Sequence, residues 1–140
     1  MIISLMLALV PLPSAAGQQA AAGSNAADLA SVVRIPLLDR ELAAEKTVKS
    51  IKAARIDFRP GQKTGRHVHP VPTMGIVLGG EIRLQIEGEP VRVLKAGEAF
   101  FEPADTVVLH FENASNTHPA SFAGFYLLGP DDKEIIREAR

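Results

Sequence analysis

The tripeptide His67-Val68-His69 carries half of the four histidines in the chain. Side chains alternate faces along an extended strand, so two histidines one residue apart point the same way. Two neutral imidazoles on one face are half of a metal site. The sequence has no cysteine, which excludes thiolate ligands and disulfides. The remaining ligands must then be histidine, carboxylate or water, a set that favours Mn, Fe, Ni, Cu or Zn over Mg or Ca. His110 is the candidate third ligand. Glu112 shares its alternation phase and could serve as a carboxylate ligand or base, although a solvated strand-end residue is the simpler reading. His118, between Thr117 and Pro119, reads as a surface-turn residue. No Ser/His/Asp arrangement and no glycine-rich phosphate loop between a strand and a helix is present.

The elements that must position these groups are short strands with turn punctuation. Val48 to Phe58 reads as a strand ending at Arg59-Pro60-Gly61, and Met74 to Leu78 as an apolar strand stopped by Gly79-Gly80. Glu81 to Glu87 alternates Ile82, Leu84 and Ile86 against charged and polar residues, the pattern of a half-buried strand. Val91 to Leu94, Ala99 to Phe101, Thr106 to Glu112 and Ser121 to Leu128 follow, separated by turns. Val32 to Leu38 is apolar and β-branched at its start and suits an edge strand able to pair across a dimer. Asp39 to Lys46 reads as a helical turn or a loop. Strands and turns at this spacing predict an all-β antiparallel sandwich or barrel, a small jelly roll. Ile76, Leu84, Phe100 and Phe101 are candidates to line an interior pocket, or simply to pack the core.

At 140 residues the chain holds one domain, with 46% hydrophobic and 22% charged residues and a net charge of -1. That balance excludes the basic footprint of nucleic-acid binding. Arg55, Arg59, Lys63 and Arg66 surround the histidines in sequence and could meet an anionic substrate, or merely solubilise the surface. Residues 1–17 have an apolar run followed by Ser14-Ala15-Ala16, the pattern of a secretory signal peptide, although no lysine or arginine precedes the run. The expectation is cleavage and export to a secreted or periplasmic location, with no membrane association after leader cleavage; a retained anchor is the alternative. Residues 18–30 are rich in Ala, Gly, Ser and Asn and read as a flexible linker. The barrel domain is assigned to 31–130. Residues 131–140 form a tail whose leading acids and Ile-Ile pair suit a short helix.

The spacing of these motifs resembles the cupin superfamily. Its first motif runs glycine, five residues, His-x-His, three or four residues, glutamate, six residues, glycine. Gly61, His67, His69 and Gly80 fall at matching places, and Thr73 stands at the glutamate. Pro70-Val71-Pro72-Thr73 is similar to a subgroup lacking that glutamate. In the second motif Gly97, Pro103 and Asn113 match, Asp105 stands where glycine is usual, and Val108 stands at the histidine. His110 lies two residues further on, about 6–7 Å along a strand. A bulge within 104–108 would return it to the site. The resemblance covers residues 47–128. It implies a double-stranded β-helix barrel, a divalent transition metal held by His67, His69 and His110, and a pocket edged by Thr73 and Val108. It also implies a small-molecule ligand or substrate and a homodimer. Dioxygenase-like or isomerase-like chemistry is the enzymatic expectation. A non-catalytic ligand-binding or sensor protein with a decayed metal site is the alternative.

Overall fold

Residues 31–139 are the part of the chain described by this computed structural model, and nine strands form among them. They are β1 (Ser50–Phe58), β2 (His67–Val68), β3 (Thr73–Gly79), β4 (Glu81–Ile86), β5 (Arg92–Lys95), β6 (Ala99–Glu102), β7 (Val107–Asn113), β8 (Ala120–Leu128) and β9 (Arg137–Glu138). The leader and linker expected at 1–30 lie outside the described residues.

The strands form two antiparallel sheets, ordered β1-β8-β3-β6 and β5-β4-β7-β2-β9. Non-sequential neighbours such as β8 between β1 and β3 make this a jelly roll, as the alternation and turn spacing predict. Alternation places Ile82, Leu84 and Ile86 inward on β4, and Phe122, Gly124, Tyr126 and Leu128 inward on β8. The main core joins Phe58, Ile82, Leu84, Phe100, Val108, Phe111 and Phe122 with other apolar residues. Phe122 meets Phe58, Phe100 and Phe111 edge-on, with ring centroids 5.6, 5.7 and 4.9 Å away. Such tilted contacts suit the aromatic quadrupole and add to apolar burial. A smaller cluster, Val71, Tyr126 and Leu128 with Ile135, packs separately.

Turn chemistry closes the hairpins. Gly80 takes φ 70°, and a Cβ there would lie 2.5 Å from the Pro119 carbonyl, so the β3–β4 turn admits only glycine. Asn113 is buried, donates to the Arg59 and His118 carbonyls and accepts from the Ser115 amide. Its amide is thus committed to holding loops together.

Two expected elements are absent. Residues 32–38 form no strand with any described residue, and Val33 and Ile35 are exposed. The tail is not helical. Residues 137–138 instead extend the second sheet by pairing with β2, Val68 opposite Arg137 and His67 opposite Glu138. Tertiary pairing overrides the weak helical signal of a short acidic stretch.

Candidate metal centre

His67, Val68 and His69 are all buried. The imidazole rings of His67 and His69 lie 5.1 Å apart between centroids and both line one cavity, as the i, i+2 spacing predicts. His67 Nδ1 lies 3.0 Å from the Gly65 carbonyl, and His69 Nδ1 bonds the Ile135 carbonyl. A carbonyl only accepts, so each Nδ1 carries a proton. Such outer hydrogen bonds fix ring orientation and leave Nε2 available to a metal.

The carboxylate comes from Glu102, a residue that the motif and its spacing did not single out. His67, His69 and Glu102 form a buried group whose ligand atoms lie within 4.8 Å of one another. His69 Nε2 is 3.0 Å from Glu102 Oε2. Burial alone would lower the His69 pKa, but the Glu102 hydrogen bond and charge, with the Ile135 carbonyl, outweigh it and hold the imidazole above its ordinary 6.5. Glu102 Oε1 is buried and has no hydrogen-bond partner. An orphaned carboxylate oxygen beside two imidazoles is costly unless something positive joins it. Two histidines and one carboxylate suit Mn, Fe, Ni, Cu or Zn and leave coordination positions open. The donor set therefore fits a divalent transition metal.

Glu102 was legible only by strand parity. It is two residues after Phe100, which faces the core, and it ends an otherwise apolar strand just before Pro103. A lone acid in the inward phase of a buried strand is the signal that points to it.

The structure does not bring His110 to this group. On β7, Phe111, Glu112 and Asn113 pair with Leu84, Arg83 and Ile82 in one register, and His110 pairs with Gln85. Ile86 then pairs with Val108, leaving Leu109 as an extra residue. The bulge shifts alternation by one, so Val108 and Phe111 are buried and His110 is exposed. A bulge is present, but it lies between Val108 and His110 and turns the histidine outward. Val108 is the register partner of His67, so the histidine place of the second motif is filled by a core valine.

Glu112 is buried on the outer side of the sheet. Arg83 Nη1 at 2.7 Å and Lys63 Nζ at 3.1 Å hold its carboxyl below its ordinary 4.5, against the opposing effect of burial. His118 is exposed and its ring accompanies Thr117.

The cavity has a volume of about 210 Å³. Besides the three ligand candidates it is lined by Thr73, Phe100, Phe111, Phe122 and Tyr126, among others. Of the residues named from the sequence as pocket-lining, Thr73 and Phe100 are among them. Val108 and Leu84 belong to the packed core instead, and Ile76 lies in the outward phase of β3, half-buried. Thr73 donates to the Val71 carbonyl at 3.2 Å. Burial, then the Glu102 charge, hold the Tyr126 phenol above its ordinary 10.0.

The tail closes one side of this cavity. Ile135 supplies the carbonyl for His69, and Ile136 forms part of the wall. Arg137 Nη2 bonds Asp105 Oδ1 at 2.7 Å, and the Ala139 amide donates to the Arg66 carbonyl.

A cupin-domain family model matches residues 54–127. The chain belongs to the cupin family. Oxalate oxidase 2 of Hordeum vulgare is 35% identical over 85 residues, covering 54% of this cupin and 37% of the relative. A solved structure of oxalate oxidase with the substrate analogue glycolate matches with a TM-score of 0.50 and 28% identity, over 55% of this cupin and 41% of that chain. A cupin-like protein from Thermotoga maritima matches with a TM-score of 0.53 and 27% identity, over 64% of each chain. This cupin spans well under half the length of the curated relatives it matches.

Proposed function

We propose that this cupin binds one divalent transition metal through His67, His69 and Glu102 and acts as an oxidoreductase on a small oxygen-bearing organic acid. The observation that carries the reading is the convergence of two Nδ1-anchored imidazoles and a buried carboxylate whose second oxygen lacks a partner. Such a metal would supply Lewis acidity and, if redox-active, reactivity towards dioxygen. The chain's own contribution is positional. The Gly65 and Ile135 carbonyls orient the imidazoles, and the phenylalanines exclude water and strengthen electrostatics inside. A cavity of about 210 Å³ is below the usual range for drug-sized ligands and suits a molecule of a few heavy atoms. Likeness to oxalate oxidases supports a small acid as the substrate class.

The test is metal content by mass spectrometry on protein without a His-tag, followed by oxygen uptake with oxalate and glycolate. Near-stoichiometric metal, lost in His67→Ala/His69→Ala and in Glu102→Ala but kept in His110→Ala, is the expected result. An absence of metal after incubation with Mn, Fe, Ni, Cu and Zn would favour the non-catalytic reading, for which Val108 in place of a histidine is the supporting observation.

Export belongs to the same proposal and rests on the leader at 1–17; N-terminal sequencing of the exported fraction tests it. Homodimerisation is supported by β1, a nine-residue strand that among the described residues is paired on one side only, with Ile51 exposed. Light scattering at micromolar protein tests it.

A further inference from the structure

Across the first sheet, Tyr126 of β8, Thr73 of β3 and Glu102 of β6 are successive register partners. All three face inward and line the cavity. Tyr126 is the only tyrosine of the chain. It is 9% exposed, and its ring centroid lies 5.6 Å from that of His69. Its hydroxyl forms no hydrogen bond with any described residue. A phenol so placed in an apolar wall keeps a donor that the fold itself does not use.

Two glycines make room for this arrangement. Gly75 of β3 and Gly124 of β8 are register partners, both inward-facing. A Cβ at Gly75 would lie 2.3 Å from Phe100 Cζ, so the Phe100 ring fills that gap. A Cβ at Gly124 would lie 3.3 Å from the Tyr126 hydroxyl oxygen and 3.6 Å from Cζ. The phenol therefore lies back along its own strand over the bare Cα of Gly124, which also lines the cavity. One glycine receives a core ring; the other receives a polar atom, which core packing alone does not require.

We infer that the Tyr126 hydroxyl, seated by Gly124, donates a hydrogen bond to an oxygen of the molecule bound beside His67, His69 and Glu102, and so selects oxygen-bearing ligands in an otherwise apolar pocket. This deepens the reading of the site as a metal centre and rests on it. The wall offers Thr73 and Thr64 as other hydroxyls, but Thr73 donates to the Val71 carbonyl and Thr64 to the Phe111 or Gly65 carbonyl. Tyr126 thus acts as the specificity-determining donor.

The experiment uses the full chain loaded with Mn(II) and glycolate as the probe, a small bidentate oxygen ligand. Metal content is read by mass spectrometry and glycolate affinity by calorimetry, for wild type, Tyr126→Phe, Gly124→Ala and the double variant. Tyr126→Phe is expected to keep its metal and fold and to bind glycolate about tenfold more weakly, the effect of one hydrogen bond. Gly124→Ala is expected to weaken glycolate while retaining the phenol, and to add nothing in the Tyr126→Phe background. Wild-type affinity in Tyr126→Phe, with metal bound, overturns the inference and leaves the metal centre standing. Metal-loaded wild type that ignores glycolate also overturns it. Wild type that takes up no metal overturns both.

Discussion

Thr73 on β3 and Glu102 on β6 are Cα partners on adjacent antiparallel strands, and both side chains enter the same cavity. The first motif of the family asks for a carboxylate at the Thr73 position. Here the carboxylate projects from the next strand, directly across the ladder. Directly opposite residues have Cβ atoms about 4.5–5.5 Å apart, a gap a glutamate side chain can span.

The carboxylate should therefore be movable. Glu102→Ala is expected to lower metal affinity at least about 100-fold, since one of three protein donors is gone. Thr73→Glu added to Glu102→Ala should recover part of that loss. His110→Ala, at an exposed site, should change neither metal content nor stability by more than about 0.5 kcal/mol. Chelator competition reads the affinities, and a double variant as poor as Glu102→Ala would show that the two strand positions are not equivalent.

The tail reaches the centre through backbone. Deleting residues 134–140 removes the Ile135 carbonyl from His69 Nδ1, the Ile136 wall and the β9 pairing, but leaves Asp132 with Lys46 and the Gly129 amide. Metal affinity should fall about 10- to 100-fold, the usual cost of losing an outer partner of a ligating histidine. The β-sheet circular dichroism signal should persist. An unchanged affinity would mean that packing alone orients His69.

Asp105 takes φ 58°, at the place where the second motif has glycine. The left-handed backbone is costly for most side chains, and aspartate tolerates it better than most. Its amide donates to the His69 carbonyl at 2.8 Å, and its carboxylate holds Arg137 of the tail. Asp105→Gly loses the ion pair but relieves the backbone; Asp105→Ala loses the pair and keeps the strain. Urea unfolding should rank the alanine variant below the glycine variant by about 1 kcal/mol. Equal midpoints would argue against backbone strain at this turn.

Glu112 couples acid stability to Arg83 and Lys63. Its folded pKa is lowered from 4.5, so its contribution is present above that value and is lost as the pH falls through the lowered one. Glu112→Gln should be less stable than wild type at pH 7. The difference should shrink steadily on acidification and vanish once the wild-type carboxyl is protonated. A difference independent of pH, read by thermal melts across the acid range, would assign the effect to packing.

The sequence alone determined the all-β class, most strand positions and the inward pairing of His67 with His69. These follow from local alternation and turn residues, which act over a few residues and need no knowledge of partners. The third member of the candidate metal group did not follow. His110 was placed by counting two residues from Val108, and one extra residue at Leu109 reversed that parity. A bulge is a property of pairing with β4, so no pattern within β7 reveals it. Glu102 enters the site through its register with Thr73, a relation between strands 29 positions apart in the chain. The tail became a strand because β2 offered an unpaired edge. Local chemistry decided which residues could point inward; the pairing of distant strands decided which of them meet.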